Sequence, residues 1–217
     1  MEEIIKRLLG DFVMDNKIVI LNSGGFDSVC LMHLTRELYP SAAIHSLFFD
    51  YGNYPIEEEY ARKVAVKVNA VFKKIELPIF DWTKNDFYKE YKQGANDYLE
   101  MRNLIFLSYA LSYAESIQAD FIGCAITVTT DEQYYDTSLK FIEDFSKIAE
   151  AKNITIWTPY KGKDKKDMMF DLLKYKITKE DFISCNFISG NEPCGECAKC
   201  KEINGIYDFL EEKGVKI

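Results

Sequence analysis

The chain has 217 residues, 47% of them hydrophobic, which is enough to bury the core of one α/β domain and leaves room for a small appended module. Its formal net charge of -8 argues against broad, nonspecific binding to nucleic acid, because such binding needs clustered Lys and Arg to neutralise phosphates. No segment approaches the roughly 18 to 20 uninterrupted apolar residues of a membrane span, and residues 1–15 lack a signal-peptide pattern. We therefore expect a cytoplasmic protein without membrane contact.

Strand-like and helix-like spacings of apolar residues alternate along the chain. Apolar residues three or four apart predict helices, and short β-branched runs predict strands. The predicted helices are 2–14, 27–38, 56–68, 98–117, 134–149 and 164–173, and the predicted strands are 17–21, 42–50, 71–77, 121–124 and 154–157. This order predicts an α/β fold in which helices cover both faces of a parallel sheet. We interpret the polar and aromatic segment 80–96 as a loop or a lid over the nucleotide.

A glycine-rich string follows the first predicted strand, at the position where an open α/β sheet usually binds ligands. After Asn22 it runs Ser23-Gly24-Gly25-Phe26-Asp27-Ser28. The glycines let the backbone approach an anion and present N–H groups to it, and the serine hydroxyls and the following helix N-terminus add further donors. The lysine of the common phosphate loop is absent, and the dinucleotide fingerprint does not match. The string predicts a phosphate-binding loop; an ordinary Gly-Gly turn is the alternative.

The hexapeptide at 23–28 resembles the pyrophosphate-loop signature of the N-type ATP pyrophosphatases. Members of that group hydrolyse ATP between its α and β phosphates and adenylate a substrate. The resemblance implies a Rossmann-like adenine nucleotide alpha hydrolase fold that uses ATP and Mg²⁺. It also implies that the loop holds the departing pyrophosphate and that Asp27 assists Mg²⁺ or orients the loop.

Four of the six cysteines crowd together near the end of the sequence, at Cys185, Cys194, Cys197 and Cys200. Four thiolates are the full tetrahedral complement of zinc and leave no open position, so we expect a structural Zn²⁺ site in a helical C-terminal region. An iron–sulfur cluster is the alternative. The plausible module boundary lies near Ile177, which gives an ATP-binding domain at 1–176 and a zinc-binding segment at 177–217 packed on it.

Strings along nearly the whole chain together resemble the 7-cyano-7-deazaguanine synthases of queuosine biosynthesis. They are the loop at 23–28, Asp50-Tyr51-Gly52, Arg102-Asn103-Leu104-Ile105-Phe106-Leu107-Ser108, Gly123, Asp131, Thr158-Pro159, Lys165 and the cysteines at 185–200. The resemblance implies an ATP-dependent carbon–nitrogen ligase. Such an enzyme adenylates 7-carboxy-7-deazaguanine and converts it with ammonia, through the amide, to 7-cyano-7-deazaguanine. The family's habit also implies a homodimer.

The resemblance carries roles to the matching positions of this sequence. The expected catalytic residues are Asp27, Arg102 and Lys165. The expected ATP contacts are Asn22, Ser23, Gly24, Gly25, Asp27, Ser28, Asp50 and Gly123. The expected substrate contacts are Tyr51, Arg102, Asn103, Asp131, Tyr134, Tyr135 and Asp136.

Several of these assignments have a structural alternative. Arg102 offers a bidentate fork to a phosphate or carboxylate, but it can also form an ion pair at a helix start. Lys165 lies in a basic run and can be a solvated charge. The segment 134–136 can stack on a purine-like ring and accept its N–H groups, or it can begin an amphipathic helix.

Three departures from the family pattern cluster where the substrate is expected to bind. Asn53-Tyr54-Pro55 stands in place of Gln-Arg-His, the segment 132–137 replaces Ser-Gly-Tyr-Pro-Asp-Cys, and Ile203 replaces an arginine. We therefore still expect the protein to adenylate its substrate, but the departures leave the identity of the acceptor open. One alternative is a diverged relative that passes a deazaguanine-type acyl group to another acceptor, such as a protein amine in antiphage defence. A tRNA-modifying thiolase, which needs a catalytic cysteine pair and a basic surface, and a nonenzymatic zinc-bound interaction module are further alternatives.

Overall fold

Five short strands form one parallel sheet in the part of the chain that the structure describes, which is residues 16–77, 101–127, 135–163 and 165–215 of a computed structural model. The strands are β1 (Lys17–Leu21), β2 (Ala43–Asp50), β3 (Val71–Glu76), β4 (Phe121–Gly123) and β5 (Thr155–Trp157). Their order is β3-β2-β1-β4-β5, and all pairings are parallel. The chain order therefore reverses between β1 and β4, which in such sheets opens a crevice at the carboxyl ends of the strands.

Six α-helices occur among the described residues. They are α1 (Phe26–Leu38), α2 (Pro55–Lys67), α3 (Arg102–Ile117), α4 (Leu139–Glu150), α5 (Met169–Tyr175) and α6 (Ala198–Glu212). A 3-10 helix (Tyr135–Thr137) precedes α4, and a two-stranded hairpin of β6 (Ile188–Ser189) and β7 (Glu192–Pro193) precedes α6. No described helix is long and apolar enough to cross a membrane.

Helices bury both faces of the sheet, because alternate residues of β1 point to opposite sides. Ile18 and Ile20 belong to a core cluster that includes apolar residues of α1, α5 and α6. Val19 belongs to a second cluster, which α3 and α4 complete. The predicted α/β class, a parallel sheet flanked by helices, is confirmed.

Three helices begin later than their apolar pattern predicts. At the predicted helix 134–149, residues 135–137 form a 3-10 helix, and α4 starts only after Ser138, whose hydroxyl accepts the Phe141 N–H at 3.1 Å. The helix predicted from residue 98 begins at Arg102, because Met101 has a left-handed backbone with φ of 54°. The helix predicted at 164–173 spans Met169–Tyr175. The predicted helix 2–14 and the segment 80–96 lie outside the described residues.

The segment after Ile177 packs onto the same core cluster as the central strand. Phe182 and Ile183 are buried, and the apolar face of α6 contributes Ile203, Ile206 and Leu210 to the core. This packing places residues 183–185 and Lys199 at the carboxyl edge of the sheet. The boundary at 176/177 stays a prediction.

Candidate active site and metal centre

A cavity of about 360 Å³ opens at the carboxyl ends of β1, β2 and β4, where the strand order reverses. Its wall comprises the loop after β1, residues between 47 and 57 from β2 and the start of α2, the start of α3, the segment after β4, residues 183–185, and the single residues Thr137, Lys165 and Lys199. Parallel α/β sheets bind their ligands at this place, and the volume suits a small organic molecule. The cavity is therefore the candidate active site.

Asn22 shapes the loop that follows β1. Its side-chain amide donates to Ser46 Oγ and to the Ala61 carbonyl, each at 2.9 Å. Its Oδ1 accepts the Gly24 N–H at 3.0 Å, and the residue is only 2% exposed. Asn22 lines the cavity, but its side-chain amide holds the loop against β2 and α2 through these hydrogen bonds.

Two glycines let this loop turn tightly into α1. Gly24 has φ of +74°, and a Cβ there would stand 2.5 Å from the Glu57 carbonyl oxygen. Gly25 is the N-cap of α1 and provides no side-chain cap. The first N–H groups of a helix lack intrahelical partners, so this end of α1 offers donors and a positive dipole to an anion.

Two serine hydroxyls complete the predicted phosphate-binding loop. Ser28 Oγ donates to the Gly25 carbonyl at 2.9 Å and lies 3.3 Å from Ser23 Oγ. Ser23 is exposed, whereas Ser28 is buried, and both line the cavity. The structure thus brings the predicted loop residues other than Gly24 together on one wall of the cavity.

Asp27 keeps a carboxylate oxygen out of solvent without pairing it. Its Oδ1 is buried and has no hydrogen-bond partner among the described residues. Its Oδ2 lies 3.9 Å from Lys165 Nζ, which forms a shorter contact of 2.7 Å with Glu202. Burial raises the pKa of Asp27 and Glu202 adds to the rise, while Lys165 and Lys199 oppose it. An orphaned carboxylate oxygen of this kind fits the oxygen ligands that Mg²⁺ prefers.

Arg102 and Tyr51 form a second polar group on the cavity wall. Arg102 Nη1 donates to the Tyr51 hydroxyl at 2.9 Å, and its guanidinium lies 5.7 Å from the centre of that ring. Arg102 is the first residue of α3, which directs its side chain into the cavity. The planar guanidinium fork is a group that suits a phosphate or a carboxylate.

Asp136 secures the start of the same helix. Its Oδ2 accepts the Asn103 backbone N–H at 2.9 Å, and its carbonyl accepts the Asn103 side-chain amide at 3.0 Å. The residue is buried and does not line the cavity, whereas Asn103 does. Tyr135 is 51% exposed, bonds Asp144 Oδ2 at 3.1 Å, and also lies off the cavity wall.

Four further predicted contacts divide into two groups. Asp50 and Gly123 are described but do not line the cavity. Lys74 bonds Asp50 at 2.6 Å and holds the pKa of that carboxyl below its usual range. Gly123 lets β4 pack closely, since a Cβ there would stand 2.4 Å from Ile20 Cδ1. Asp131 and Tyr134 lie outside the described residues.

Sequence reasoning missed part of the wall, namely Ile183, Ser184 and Lys199. The Ile183 N–H donates to the Gly24 carbonyl at 3.0 Å, so the C-terminal segment is joined to the loop by backbone atoms. Such a long-range contact leaves no local pattern. Lys199 carries one weak signal, because a lysine in the first turn of a helix opposes the helix dipole.

The four clustered cysteines converge on one point. Their sulfurs all lie within 4.8 Å of one another, with 3.9 Å between those of Cys185 and Cys197 and 4.0 Å between those of Cys194 and Cys200. Cys30 and Cys124 are buried elsewhere. Four sulfurs at such separations can hold a metal.

Backbone N–H groups surround these sulfurs. Phe187 and Cys194 each donate to Cys185 Sγ at 3.2 Å. Burial raises the pKa of Cys197, but the N–H groups of Asn186 and Cys200 and the thiols of Cys200 and Cys194 lower it to about 6, whereas burial raises the pKa values of Cys185 and Cys200. Donors of this kind favour the thiolate, which is the form that binds metal. The segment also contacts α2, where the Tyr54 hydroxyl donates to the Asn186 carbonyl at 3.4 Å.

Comparison with known proteins connects this arrangement to named relatives. The 7-cyano-7-deazaguanine synthase of Prochlorococcus marinus strain MIT 9301 is 31% identical over 224 residues, covering 93% of this chain and 98% of that protein. The enzyme of strain MIT 9515 is 34% identical over 210 residues, covering 87% and 92%. The enzyme of Persephonella marina is 29% identical over 208 residues, covering 86% and 90%.

A solved structure shares the fold. It is the U34-tRNA thiolase NcsA from Methanococcus maripaludis with its [4Fe-4S] cluster, with a TM-score of 0.54 and 16% identity over 98% of this chain and 72% of that chain. At that identity the likeness shows the fold alone. The family model described as queuosine biosynthesis protein QueC matches residues 17–207. The chain therefore belongs to the QueC family and is an enzyme of the pyrophosphate-loop ATPase type.

Proposed function

We propose that the chain uses ATP to adenylate 7-carboxy-7-deazaguanine and converts it with ammonia, through the amide, to 7-cyano-7-deazaguanine. One observation carries the proposal: a single cavity joins the glycine loop to Arg102 and Tyr51. A nucleotide phosphate chain and a substrate carboxylate can therefore meet within it. The names of the relatives supply the substrate.

The loop would stabilise the charge that develops as ATP is cleaved. A substrate carboxylate oxygen attacks the α phosphorus, the bond from that phosphorus to the bridging oxygen breaks, and pyrophosphate leaves with the electron pair. The N–H groups at the start of α1 and the hydroxyl of Ser23 are donors for this anion, while the hydroxyl of Ser28 holds the loop by donating to the Gly25 carbonyl. Asp27 is the residue that would hold Mg²⁺, which neutralises phosphate charge when bound.

Arg102 would orient the reacting carboxylate and phosphate, since Tyr51 and the helix start fix its guanidinium. Ammonia attacks the acyl adenylate, a carbon–nitrogen bond forms, and AMP leaves to give the amide. A second ATP adenylates the amide oxygen. Loss of AMP and of the nitrogen-bound protons then gives the nitrile, so that each nitrile requires two ATP.

We assign the four-cysteine site to structural Zn²⁺. With zinc–sulfur bonds of about 2.3 Å, tetrahedral geometry sets neighbouring sulfurs about 3.8 Å apart. The sulfur separations of 3.9 and 4.0 Å match this distance. An iron–sulfur cluster places several irons between its cysteines and holds their sulfurs farther apart. Four protein ligands leave no position for substrate, so this metal stabilises structure.

A second candidate function keeps the adenylation and changes the acceptor. Asn53, which departs from the family pattern, lines the cavity and donates to Glu57 Oε2 at 2.6 Å. Ile203, another departure, is buried in the core. The altered cavity wall favours a relative that transfers the activated acyl group to another nucleophile, such as a protein amine.

Mass spectrometry of the products separates the two candidates. The full chain is incubated with ATP, Mg²⁺, 7-carboxy-7-deazaguanine and ammonium. We expect the nitrile, with two AMP formed for each nitrile. An adenylate or amide end point, or ATP consumption only when a protein acceptor is added, would overturn the biosynthetic proposal.

An arginine pair provides the control for this experiment. Arg102→Ala removes the guanidinium from the cavity and should abolish product formation. Arg62→Ala removes an exposed guanidinium that pairs with Glu58 on α2 and should leave the products unchanged. Equal effects of the two variants would contradict the proposed role of Arg102.

A further inference from the structure

Lys199 brings a positive charge to the cavity from an unexpected part of the chain. It lies in the first turn of α6, between Cys197 and Cys200, and it lines the cavity together with residues of the glycine loop. The next lysine of the helix, Lys201, is exposed and is not part of the cavity wall. The fold thus turns one of two neighbouring lysines towards the ligand space.

The charge of Lys199 is not neutralised within the described part of the chain. Lys165, the other lysine on the wall, pairs with Glu202 at 2.7 Å. Lys199 has no ion pair or hydrogen bond from its ammonium group to any described residue, and it lines the cavity together with Asp27 of the loop. An available cation therefore stands near the phosphate-binding end of the cavity.

The position of Lys199 is electrostatically unfavourable unless an anion is bound. A cation in the first turn of a helix opposes the macrodipole, typically at a cost of about 0.3 to 1 kcal/mol. The flanking cysteines fix that turn, and the Cys200 thiol contacts the Ser184 carbonyl at 3.8 Å. A polyanion in the cavity would compensate both the helix end and the ammonium group.

We infer that Lys199 binds the β and γ phosphates of the nucleotide, so that the cysteine-bearing helix completes the pyrophosphate site. The inference rests on the proposed use of ATP and adds a residue to that site. The β and γ phosphates are favoured over the substrate carboxylate because the start of α6 lies beside the loop: Glu202, one turn after Lys199, bonds Lys165 at 2.7 Å, and Lys165 lies 3.9 Å from Asp27. The carboxylate is assigned to the Arg102 end of the cavity.

Binding measurements on the full-length, metal-loaded chain test the inference. The probes are α,β-methylene-ATP with Mg²⁺, inorganic pyrophosphate and AMP, titrated by calorimetry. Lys199→Ala should weaken binding of the first two roughly tenfold, as expected for one charge-assisted hydrogen bond, and leave AMP affinity unchanged. Lys199→Arg should retain most of the affinity, and Lys201→Ala should have no effect.

Three results would overturn the inference: unchanged affinity of Lys199→Ala for α,β-methylene-ATP, an equal loss for AMP, or a loss confined to 7-carboxy-7-deazaguanine. Metal content and circular dichroism of each variant show whether α6 is intact. Lys199→Met keeps the aliphatic side chain and replaces the alanine variant if that one loses its metal. These measurements do not depend on product formation. The result can therefore be interpreted even if the proposed substrate is wrong.

Discussion

At the residue scale, Asp27 favours ligand binding but lowers the stability of the ligand-free protein. Its Oδ1 is buried without a partner among the described residues, and burial raises its pKa. A folded-state pKa above the unfolded value means that the folded protein holds this proton more tightly. Protonated Asp27 therefore contributes stability to the ligand-free protein. This stability is fully present below the unfolded pKa of about 3.9 and is lost as pH rises through the higher pKa of the folded state.

Asp27→Asn should stabilise the protein that holds no magnesium and no nucleotide but retains its zinc, and it should remove the activity. The stability gain over the wild type should grow as pH rises from about 4 towards neutral, because asparagine does not ionise. Pyrophosphate release should fall at least about 100-fold, the usual effect of losing a group that stabilises transition-state charge. Urea unfolding from pH 4 to 7 and a coupled pyrophosphate assay measure the two effects.

Asp144→Asn is the control of opposite sign. Hydrogen bonds from Lys140, Lys147 and Tyr135 hold the pKa of Asp144 well below its usual range. Its contribution to stability is therefore present above the unfolded pKa, and the asparagine variant should be less stable at neutral pH. Destabilisation by both substitutions would refute the reasoning for Asp27.

Gly24 offers a second test at this scale, with Gly214 as its matched control. Both have positive φ, +74° and +71°, but a Cβ at Gly24 meets backbone atoms at 2.5 and 2.9 Å, whereas none lies within 4 Å at Gly214. Gly214→Ala should cost about 1 kcal/mol for the left-handed conformation alone. Gly24→Ala should cost at least about 2 kcal/mol more, because the loop must also move. Denaturant titration measures both, and equal losses would exclude a collision at Gly24.

The sequence predicts the site residues best where chemistry and position coincide. The loop residues except Gly24 line the cavity, and so do Tyr51, Arg102 and Lys165. Asp50 and Asp136 carry suitable carboxylates, but Lys74 and Asn103 engage them first. These nearer partners depend on how elements pack together, which a residue pattern does not contain.

At the scale of elements, α6 and the cysteines connect the hydrophobic core to the cavity wall. Ile203 and Leu210 bury one face of the helix, while Lys199 in its first turn reaches the cavity wall. Cys197 is the N-cap of the helix, and Cys200 lies in its first turn. Metal binding to these thiolates would therefore fix the end of α6 that lines the cavity.

Loss of the metal should free this end of α6 and weaken nucleotide binding. Cys194→Ser, or treatment with a chelator, should abolish metal binding, expose residues 184–197 to protease and reduce affinity for α,β-methylene-ATP. Elemental analysis of the wild type should find one zinc for each chain. Iron in its place would contradict the zinc assignment, and Cys124→Ser should leave the metal content unchanged.

Sequence patterns predict the strands of the sheet more accurately than the helix starts. β1 coincides with its prediction, and β2 begins one residue late, because buried runs of β-branched residues are local signals. The start of α4 depends on the hydroxyl of Ser138, and that of α3 on the left-handed turn at Met101. The hairpin of β6 and β7 has two residues in each strand and no apolar period to detect.

Over the whole molecule, residues from both ends of the described chain share one core. Ile18 and Ile20 of β1 belong to the same cluster as Ile177, Ile206 and Leu210. A segment that contributes to the central core gains little from folding separately. The C-terminal segment and the ATP-binding region should therefore unfold together.

Thermal unfolding of the metal-loaded protein should show one cooperative transition. Far-ultraviolet circular dichroism reports the helices, and in a Trp82→Phe variant the fluorescence of Trp157, which packs against the same core, reports the sheet. The two midpoints should coincide. An excess of α,β-methylene-ATP at 100 times its Kd should add about 2.7 kcal/mol and shift both midpoints equally. Separate transitions would show that the C-terminal segment is an independent unit.

The hydrogen bond from the Ile183 amide to the Gly24 carbonyl has an evolutionary consequence, because it uses main-chain atoms only. Any residue except proline can donate it, so a substitution of the buried Ile183 side chain leaves the backbone link between the C-terminal segment and the loop in place. Selection can thus vary the side chains that face the ligand while the path of the backbone is inherited. Such freedom agrees with relatives that remain alignable over most of their length at about 30% identity. The side chains of the C-terminal segment can therefore differ between relatives while its backbone contact with the glycine loop is kept.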